Sequence, residues 1–363
     1  MIFGTRPEAI KMAPVVRALK AAPGIETRVW STGQHRQMLD QVLDLFEIKA
    51  DRDLKVMTAD QTLNALFSRV VSRLEEVFLR ERPDRVLVHG DTSTAAAAAT
   101  AAFHQGIPVG HVEAGLRSGR IDQPWPEEFN RRVVDLVADH LYAPTARARD
   151  HLLSENLGER NIVVTGNTVV DALLHVKGRI DSESALAGQL AARFPQLDPG
   201  KRLVLVTGHR RENFGEGFLN ICGALAEISE LPNVQVLYPV HLNPNVQRPV
   251  MSLLADRPNI SLIEPVDYLS FVYLMGRSTV ILTDSGGVQE EAPSLGKPVL
   301  VMREVTERPE AVEAGVVRLV GAGAENIVRS VKEAVEGPAR SEIVNPYGDG
   351  KAAERIVAEI VAE

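Results

Sequence analysis

Arg85-Val86-Leu87-Val88-His89, then Gly90-Asp91-Thr92, an alanine-rich run from Thr94 to Phe103, and Pro108-Val109-Gly110-His111-Val112 leading into Glu113 decide the fold class. The two short valine-rich runs read as buried strands, and the segment between them has the length and composition of a helix. Strand, helix and strand, with polar residues directly after each strand, form the repeating unit of a parallel α/β sheet. The unit recurs in both directions. Upstream lie a strand at Thr27–Thr32 and a helix from Gln61 to about Arg82, and downstream a strand at Ile162–Thr165. The pattern restarts at Leu203–Thr207 and continues through Val234–Tyr238, Ile260–Ile263, Val280–Thr283 and Val299–Met302, which predicts a second doubly wound domain.

Length agrees with two cores, because 363 residues exceed the roughly 250 to 300 at which a single core stops growing. A helix at Val169–Val176 and a polar, alanine-rich stretch from Arg179 to Lys201 separate the halves, and the boundary is placed near Asn167. The expected domains are residues 1–167 and 168–349, followed by a short amphipathic helix over 350–363 that needs a docking surface. Met1-Ile2-Phe3 reads as the tail of a buried strand running into a turn at Gly4, so further residues are expected upstream.

Composition excludes several function classes. Net charge is −8 with scattered basic residues, which argues against a nucleic-acid surface. No apolar run approaches the roughly 20 residues a bilayer span requires, so no membrane association is expected. A single cysteine, Cys222, leaves no internal disulfide and no cysteine-rich metal site. With no signal-peptide pattern, a cytoplasmic protein is expected. Neither a Walker A sequence nor GxGxxG occurs, which counts against ATP- or NAD-dependent chemistry.

Ligands of open α/β sheets bind beyond the carboxyl ends of the strands, so the residues there carry the chemistry. After the first strand stands Gly4-Thr5-Arg6-Pro7-Glu8 with Lys11 one turn on, a helix start and two cations that suit an anion. His89-Gly90-Asp91 and His111-Val112-Glu113 end later strands. A His/Asp/His/Glu metal site would draw on these same residues, but carboxylates acting as acid and base groups are preferred and no metal is assigned. A proline-braced loop then leads to Glu127-Glu128 at a helix start, which brings a third carboxylate toward the same crevice. In the second half, Thr283-Asp284-Ser285-Gly286-Gly287 joins a strand to a helix at Val288–Leu295. Its exposed N–H groups suit a diphosphate, and Arg308 adds charge. Gly208-His209-Arg210-Arg211-Glu212 and His241 follow two further strands.

Together with Gly166-Asn167-Thr168 and Thr306-Glu307-Arg308-Pro309-Glu310, these motifs resemble the non-hydrolysing UDP-N-acetylglucosamine 2-epimerases of bacteria, from Phe3 to the closing helix. The resemblance implies a GT-B fold: two Rossmann-like doubly wound domains facing across a cleft, with the closing helix completing the first. It implies reversible epimerisation of UDP-GlcNAc and UDP-ManNAc at C2 without NAD or another cofactor, in a homodimer. UDP would be eliminated to leave 2-acetamidoglucal and then re-added, and the product would feed cell-surface polysaccharide synthesis.

By motif matching, Asp91, Glu113, Glu127 and His209 would be catalytic. Arg6, Lys11, Arg131, Val266, Phe271, Ser285, Gly286, Gly287, Glu291 and Arg308 would contact substrate or UDP. A second, activating UDP-GlcNAc would meet Gln34, Gln37, Glu128, Arg210 and His241, although Asp60 stands where some members contact that molecule with an arginine. A hydrolysing 2-epimerase, a GT-B glycosyltransferase and a non-catalytic nucleotide-sugar sensor are the alternatives.

Overall fold

A computed structural model describes residues 1–33, 36–58, 61–157, 162–337 and 344–362, with the side chains of 36–38 outside that description. The chain divides into two compact units, Met1–Ala172 with Tyr347–Glu363, and Leu173–Pro346.

The first unit begins with β1 (Ile2–Phe3), α1 (Arg6–Ala21), β2 (Trp30–Ser31), α2 (Arg36–Leu45), β3 (Arg52–Asp53) and α3 (Leu63–Glu81). Next come β4 (Val86–His89), α4 (Ser93–His104), β5 (Val109–Val112), α5 (Glu127–Val137), β6 (His140–Ala143), α6 (Ala146–Ser154) and β7 (Ile162–Val164). The strands pair in parallel as β1-β2-β3 and β4-β5-β6-β7, and β1 also packs beside β4. The alanine run forms α4 as predicted. Ala95 to Ala99 are wholly buried, and small side chains let this helix lie close to α3, α5 and the strands beneath it. α7 (Thr168–Ser182) carries the chain into the second unit.

That unit holds α8 (Ser184–Arg193), β8 (Arg202–Thr207), α9 (Glu216–Ile228), β9 (Val234–Pro239), α10 (Pro244–Leu254), β10 (Ile260–Ile263) and α11 (Tyr268–Arg277). β11 (Val280–Thr283), α12 (Gly286–Glu291), β12 (Val299–Val301), α13 (Pro309–Glu313), β13 (Val317–Leu319) and α14 (Ala324–Glu336) complete it. Its six strands form one parallel sheet in the order β10-β9-β8-β11-β12-β13, the doubly wound arrangement read from the sequence. Val204, Val206, Val236, Leu282 and Leu300 of that sheet are buried with Ile221, Leu225, Val250 and Val331 of the helices. The crossing from β8 to β11 reverses the direction of winding, so the loops after these two strands border a switch point, where ligands bind in such sheets.

α15 (Ala352–Val361) returns to the first unit and packs on α1, which supplies its docking surface. Asp171 Oδ1 accepts from the Ala353 N–H at 2.8 Å, and an Arg355 guanidinium donates to the Thr165 carbonyl at 2.9 Å.

Some boundaries differ from the sequence reading. β2 keeps only Trp30–Ser31 of the expected Thr27–Thr32, and the expected helix at Val288–Leu295 begins earlier, at Gly286. It tightens into a 3-10 turn over Ala292–Leu295, where Pro293 supplies no amide N–H. α8 occupies part of the stretch read as a polar connection, and no described helix is long and apolar enough to cross a membrane.

Candidate active site

In the first unit a buried carboxylate fastens two loops together. Thr5 caps α1, and Glu8 Oε2 accepts from the N–H of Gly4 at 3.1 Å, the N–H of Thr5 at 2.8 Å and the Thr5 hydroxyl at 2.8 Å. Glu8 Oε1 accepts from the Thr92 hydroxyl at 2.6 Å, which ties the turn after β1 to the turn after β4. Burial raises the Glu8 pKa, and these hydrogen bonds oppose the rise. The capping box is local and legible in Thr5-x-x-Glu8, whereas the bond to Thr92 is not. Gly4 is obligatory here, because a Cβ would stand 1.9 Å from Thr32 Oγ1.

Glu113 follows β5 with φ of 71°, in the left-handed region that residues with a side chain seldom occupy. Its carboxylate pairs with Lys11 of α1 and accepts from Asn167 Nδ2 at 2.8 Å, while its other oxygen lies 3.8 Å from His89 Nε2. Burial pushes His89 down to about 3, against the pull of Glu113, so its imidazole is neutral at ordinary pH. Asp91, just after the neighbouring strand β4, pairs with Arg131 of α5, and Asn130 Nδ2 donates to its carbonyl at 2.9 Å. Glu127 opens α5, is half-buried, and makes no ion pair among the described residues.

Several assigned positions carry internal contacts. Lys11, read as a diphosphate ligand, is the cation beside Glu113. Glu128, read as part of a second-substrate site, is wholly buried and accepts from the Ser118 N–H at 3.0 Å and Arg132 Nε at 3.0 Å. Arg131 Nη1 also approaches it at 3.5 Å. His111 takes the bland role of a buried staple, with Nδ1 at 2.6 Å from Asp135 Oδ1 and Nε2 at 2.8 Å from the Gly90 carbonyl. Burial would raise Asp135, but His111 and Arg117 outweigh it and hold the carboxyl below its usual range. Among the described residues no cluster of His, Cys, Asp and Glu has the arrangement of a metal site. Gln34 and Asp60 lie outside the described residues, as does the side chain of Gln37.

In the second unit the loops after β8 and β11 meet. A Cβ at Gly286 would stand 3.6 Å from Arg210 Nη2 and 3.9 Å from Arg308 Nη2, so two guanidinium groups flank the Ser285-Gly286-Gly287 turn. Arg308 Nε donates to the buried Glu290 at 2.5 Å, and the Arg308 N–H donates to Thr306 Oγ1 at 3.1 Å. N–H groups at a helix start together with two cations make a cradle for a polyanion. Arg210, assigned to the second-substrate site, therefore stands beside the diphosphate candidates. His209 and His241 stack with ring centroids 5.4 Å apart, which joins a catalytic candidate to a second-site candidate. Glu291 is buried and accepts from the Tyr268 hydroxyl at 2.6 Å, while Phe271 and Val266 are half-buried in and before α11.

The family model for UDP-N-acetylglucosamine 2-epimerase matches residues 17–361. The chain is 54% identical over 361 residues to the UDP-N-acetylglucosamine 2-epimerase of Escherichia coli (strain K12), covering 98% of this chain and 96% of that one. It belongs to the UDP-N-acetylglucosamine 2-epimerase family. A crystal structure of the Neisseria meningitidis epimerase bound to UDP-GlcNAc superposes with a TM-score of 0.92 at 48% identity, covering 100% of this chain and 99% of that one. The Methanocaldococcus jannaschii epimerase, in complex with UDP-GlcNAc and UDP, gives 0.82 at 35% identity, again over 100% and 99% of the two chains. The fold is therefore GT-B, with two Rossmann-like units, and the family is one of isomerases.

The chain also holds groups to which its motifs alone give no role. Asn167 and His89 border Glu113, and Asp284 gathers the loop after β8. All three lie inside quoted motifs, yet their partners are distant in sequence. Arg303, 6% exposed, joins Glu212 at 2.5 Å to Glu307 at 2.6 Å and so braces the loops that carry His209 and Arg308. Burial opposes ionisation of Glu307, but Arg303, together with a backbone N–H and Arg210, overcomes it and brings the carboxyl down to about 2. A depressed carboxyl stabilises the fold fully above its unfolded pKa, and that contribution disappears as pH falls from about 4.5 toward 2. Urea unfolding of Arg303→Met is expected to show a smaller loss of stability over this pH window and a cost of about 1 to 2 kcal/mol at neutral pH, reduced by the partial exposure of both glutamates. An unchanged pH profile would rule the bridge out as its source.

Proposed function

We propose that this chain interconverts UDP-N-acetylglucosamine and UDP-N-acetylmannosamine by elimination and re-addition of UDP. The observation that carries the proposal is the pair of carboxylates after adjacent strands, Asp91 and Glu113, each beside a cation. The reading is supported by the guanidinium pair at Gly286 and by the relatives' names and ligands.

The C2 proton of the sugar is not acidic while UDP remains at C1. As the C1–O bond breaks, the electron pair leaves with UDP, positive charge grows at the anomeric carbon, and a carboxylate removes the proton to give 2-acetamidoglucal. A second acid group returns a proton to the other face of C2 while UDP re-adds at C1. Asp91, Glu113 and Glu127 are the acid and base candidates. Arg6, Arg308 and the Ser285–Gly287 N–H groups, with His209, stabilise the departing diphosphate, a role in which one preorganised donor contributes about 3 to 4 kcal/mol. Arg131 orients Asp91. Phe271 and Val266 border the nucleoside, and Glu291 completes its contacts. The protein acts as a cytoplasmic homodimer without a cofactor, and its product enters surface polysaccharide synthesis. A second UDP-GlcNAc is assigned to Gln34, Gln37, Glu128, Arg210 and His241.

Incubation with UDP-GlcNAc in deuterated water, followed by NMR, tests the proposal. Deuterium at C2 of both sugars with UDP-ManNAc at equilibrium is expected. Free N-acetylmannosamine would favour a hydrolysing enzyme, and a substrate bound without C2 exchange would favour a sensor. Turnover only with an added acceptor would favour a glycosyltransferase.

A further inference from the structure

Asp284 is wholly buried between β11 and the Ser285–Gly287 turn, away from the acid and base carboxylates in sequence. Its Oδ2 accepts from the N–H of His209 at 2.8 Å, the N–H of Arg210 at 2.8 Å and Asn213 Nδ2 at 3.4 Å. Its Oδ1 accepts from the His209 N–H at 3.1 Å and lies 3.3 Å from Nδ1 of the same residue. One carboxylate thus holds the main chain of His209 by hydrogen bonds and lies close to its ring. A buried charge needs such donors, and three of them converge on it: the N–H groups of His209 and Arg210 and the Asn213 amide. The imidazole keeps 38% of its surface exposed, so the ring is fixed on one side and open on the other.

We propose that Asp284 is the positioning residue for His209: it takes the Nδ1–H, sets the tautomer, and leaves Nε2 to face the substrate's diphosphate. The inference rests on the reading that His209 acts on the leaving UDP. A histidine whose Nδ1–H is held by a carboxylate presents Nε2 in one orientation and accepts a proton there more readily, because the imidazolium is neutralised in place. The groups facing the ring are Asp284 after β11, Arg210 on the same loop and His241 after β9. Burial lowers the His209 pKa, and Arg210 and His241 push the same way. Only Asp284 opposes them. Removing its charge therefore moves the titration of His209 to lower pH.

Nitrogen-15 spectra of the imidazole in the wild-type protein give the first test, independent of any variant. The neutral ring is expected with its proton on Nδ1, and a neutral ring protonated on Nε2 would overturn the proposal. The second test is a double-mutant cycle on kcat with UDP-GlcNAc, using Asp284→Asn and His209→Gln. Asp284→Asn is expected to lower kcat by about tenfold or more when His209 is present and by less than about threefold in the His209→Gln background. It is also expected to shift the His209 titration downward. Equal losses in both backgrounds would reduce Asp284 to a structural brace and defeat the inference. Unchanged kcat in His209→Gln alone would instead remove the reading of His209 on which the inference rests.

Discussion

Glu113→Gln is expected to lower kcat by about 10²- to 10⁴-fold, the range typical of a lost general acid or base, with UDP affinity changed by less than about threefold. The amide keeps the size of the carboxylate and its carbonyl oxygen still accepts from Lys11 and Asn167, so the loop retains its shape while losing the basic oxygen. The backbone argues the same way. A glutamate at φ of 71° costs on the order of 1 kcal/mol or more, and it is held there by Glu113 and Ala114 N–H groups that both donate to the Tyr142 carbonyl at 3.1 Å. Such strain is met where a side chain must be aimed rather than merely packed. Asp91→Asn is expected to behave alike, because its carboxylate is presented by Arg131 at the next strand end. Initial rates of UDP-ManNAc formation by NMR and calorimetric titration with UDP separate the two effects. Near-normal turnover in both variants would remove the carboxylates from the mechanism.

Gly115→Ala is expected to destabilise the first unit by about 3 to 5 kcal/mol, a large part of the stability of a typical domain. The turn after Glu113 brings this backbone against α6, where a Cβ would stand 2.2 Å from the Ala148 carbonyl oxygen and 2.9 Å from Leu152 Cγ. A backbone carbonyl in a helix cannot swing aside, so the clash adds overpacking to the cost of φ at +83°. The Gly115 carbonyl also lies 3.0 Å from His151 Nδ1, and its N–H donates to Asp135 at 3.3 Å, so displacement would break two further contacts. Gly106→Ala is the control. That residue has φ of +66° with nothing within 4 Å, so conformational strain alone, about 1 to 2 kcal/mol, is expected. Similar urea midpoints for the two variants would show that close approach to α6 does not set the cost.

The difference between these glycines illustrates what was legible in the chain. Both are glycines in turns, and a turn alone predicts positive φ. Only the position of α6 distinguishes them. Elements behaved similarly. Ile260–Ile263 and Val280–Thr283 are legible with their observed bounds, because each is a short, mostly apolar run between polar breaks. His140–Ala143 is not legible as a strand, since His140-Leu141-Tyr142-Ala143 follows α5 without a glycine or proline to mark the change, and its strand character comes from pairing with β5 and β7.

The parallel α/β class, the family, and the set of polar residues at strand ends are legible in the chain, because strand periodicity, capping and glycine turns act over a few neighbouring residues. Which of those residues meet depends on how distant segments pack. Lys11 reaches Glu113 across 102 positions, Arg131 reaches Asp91 across 40, and Asp284 reaches the His209 backbone across 75. Each meeting follows from the order in which strands pair and helices pack. That order is a property of the whole buried core, in which a carboxylate can remain charged only where distant segments bring it a cation or an N–H group.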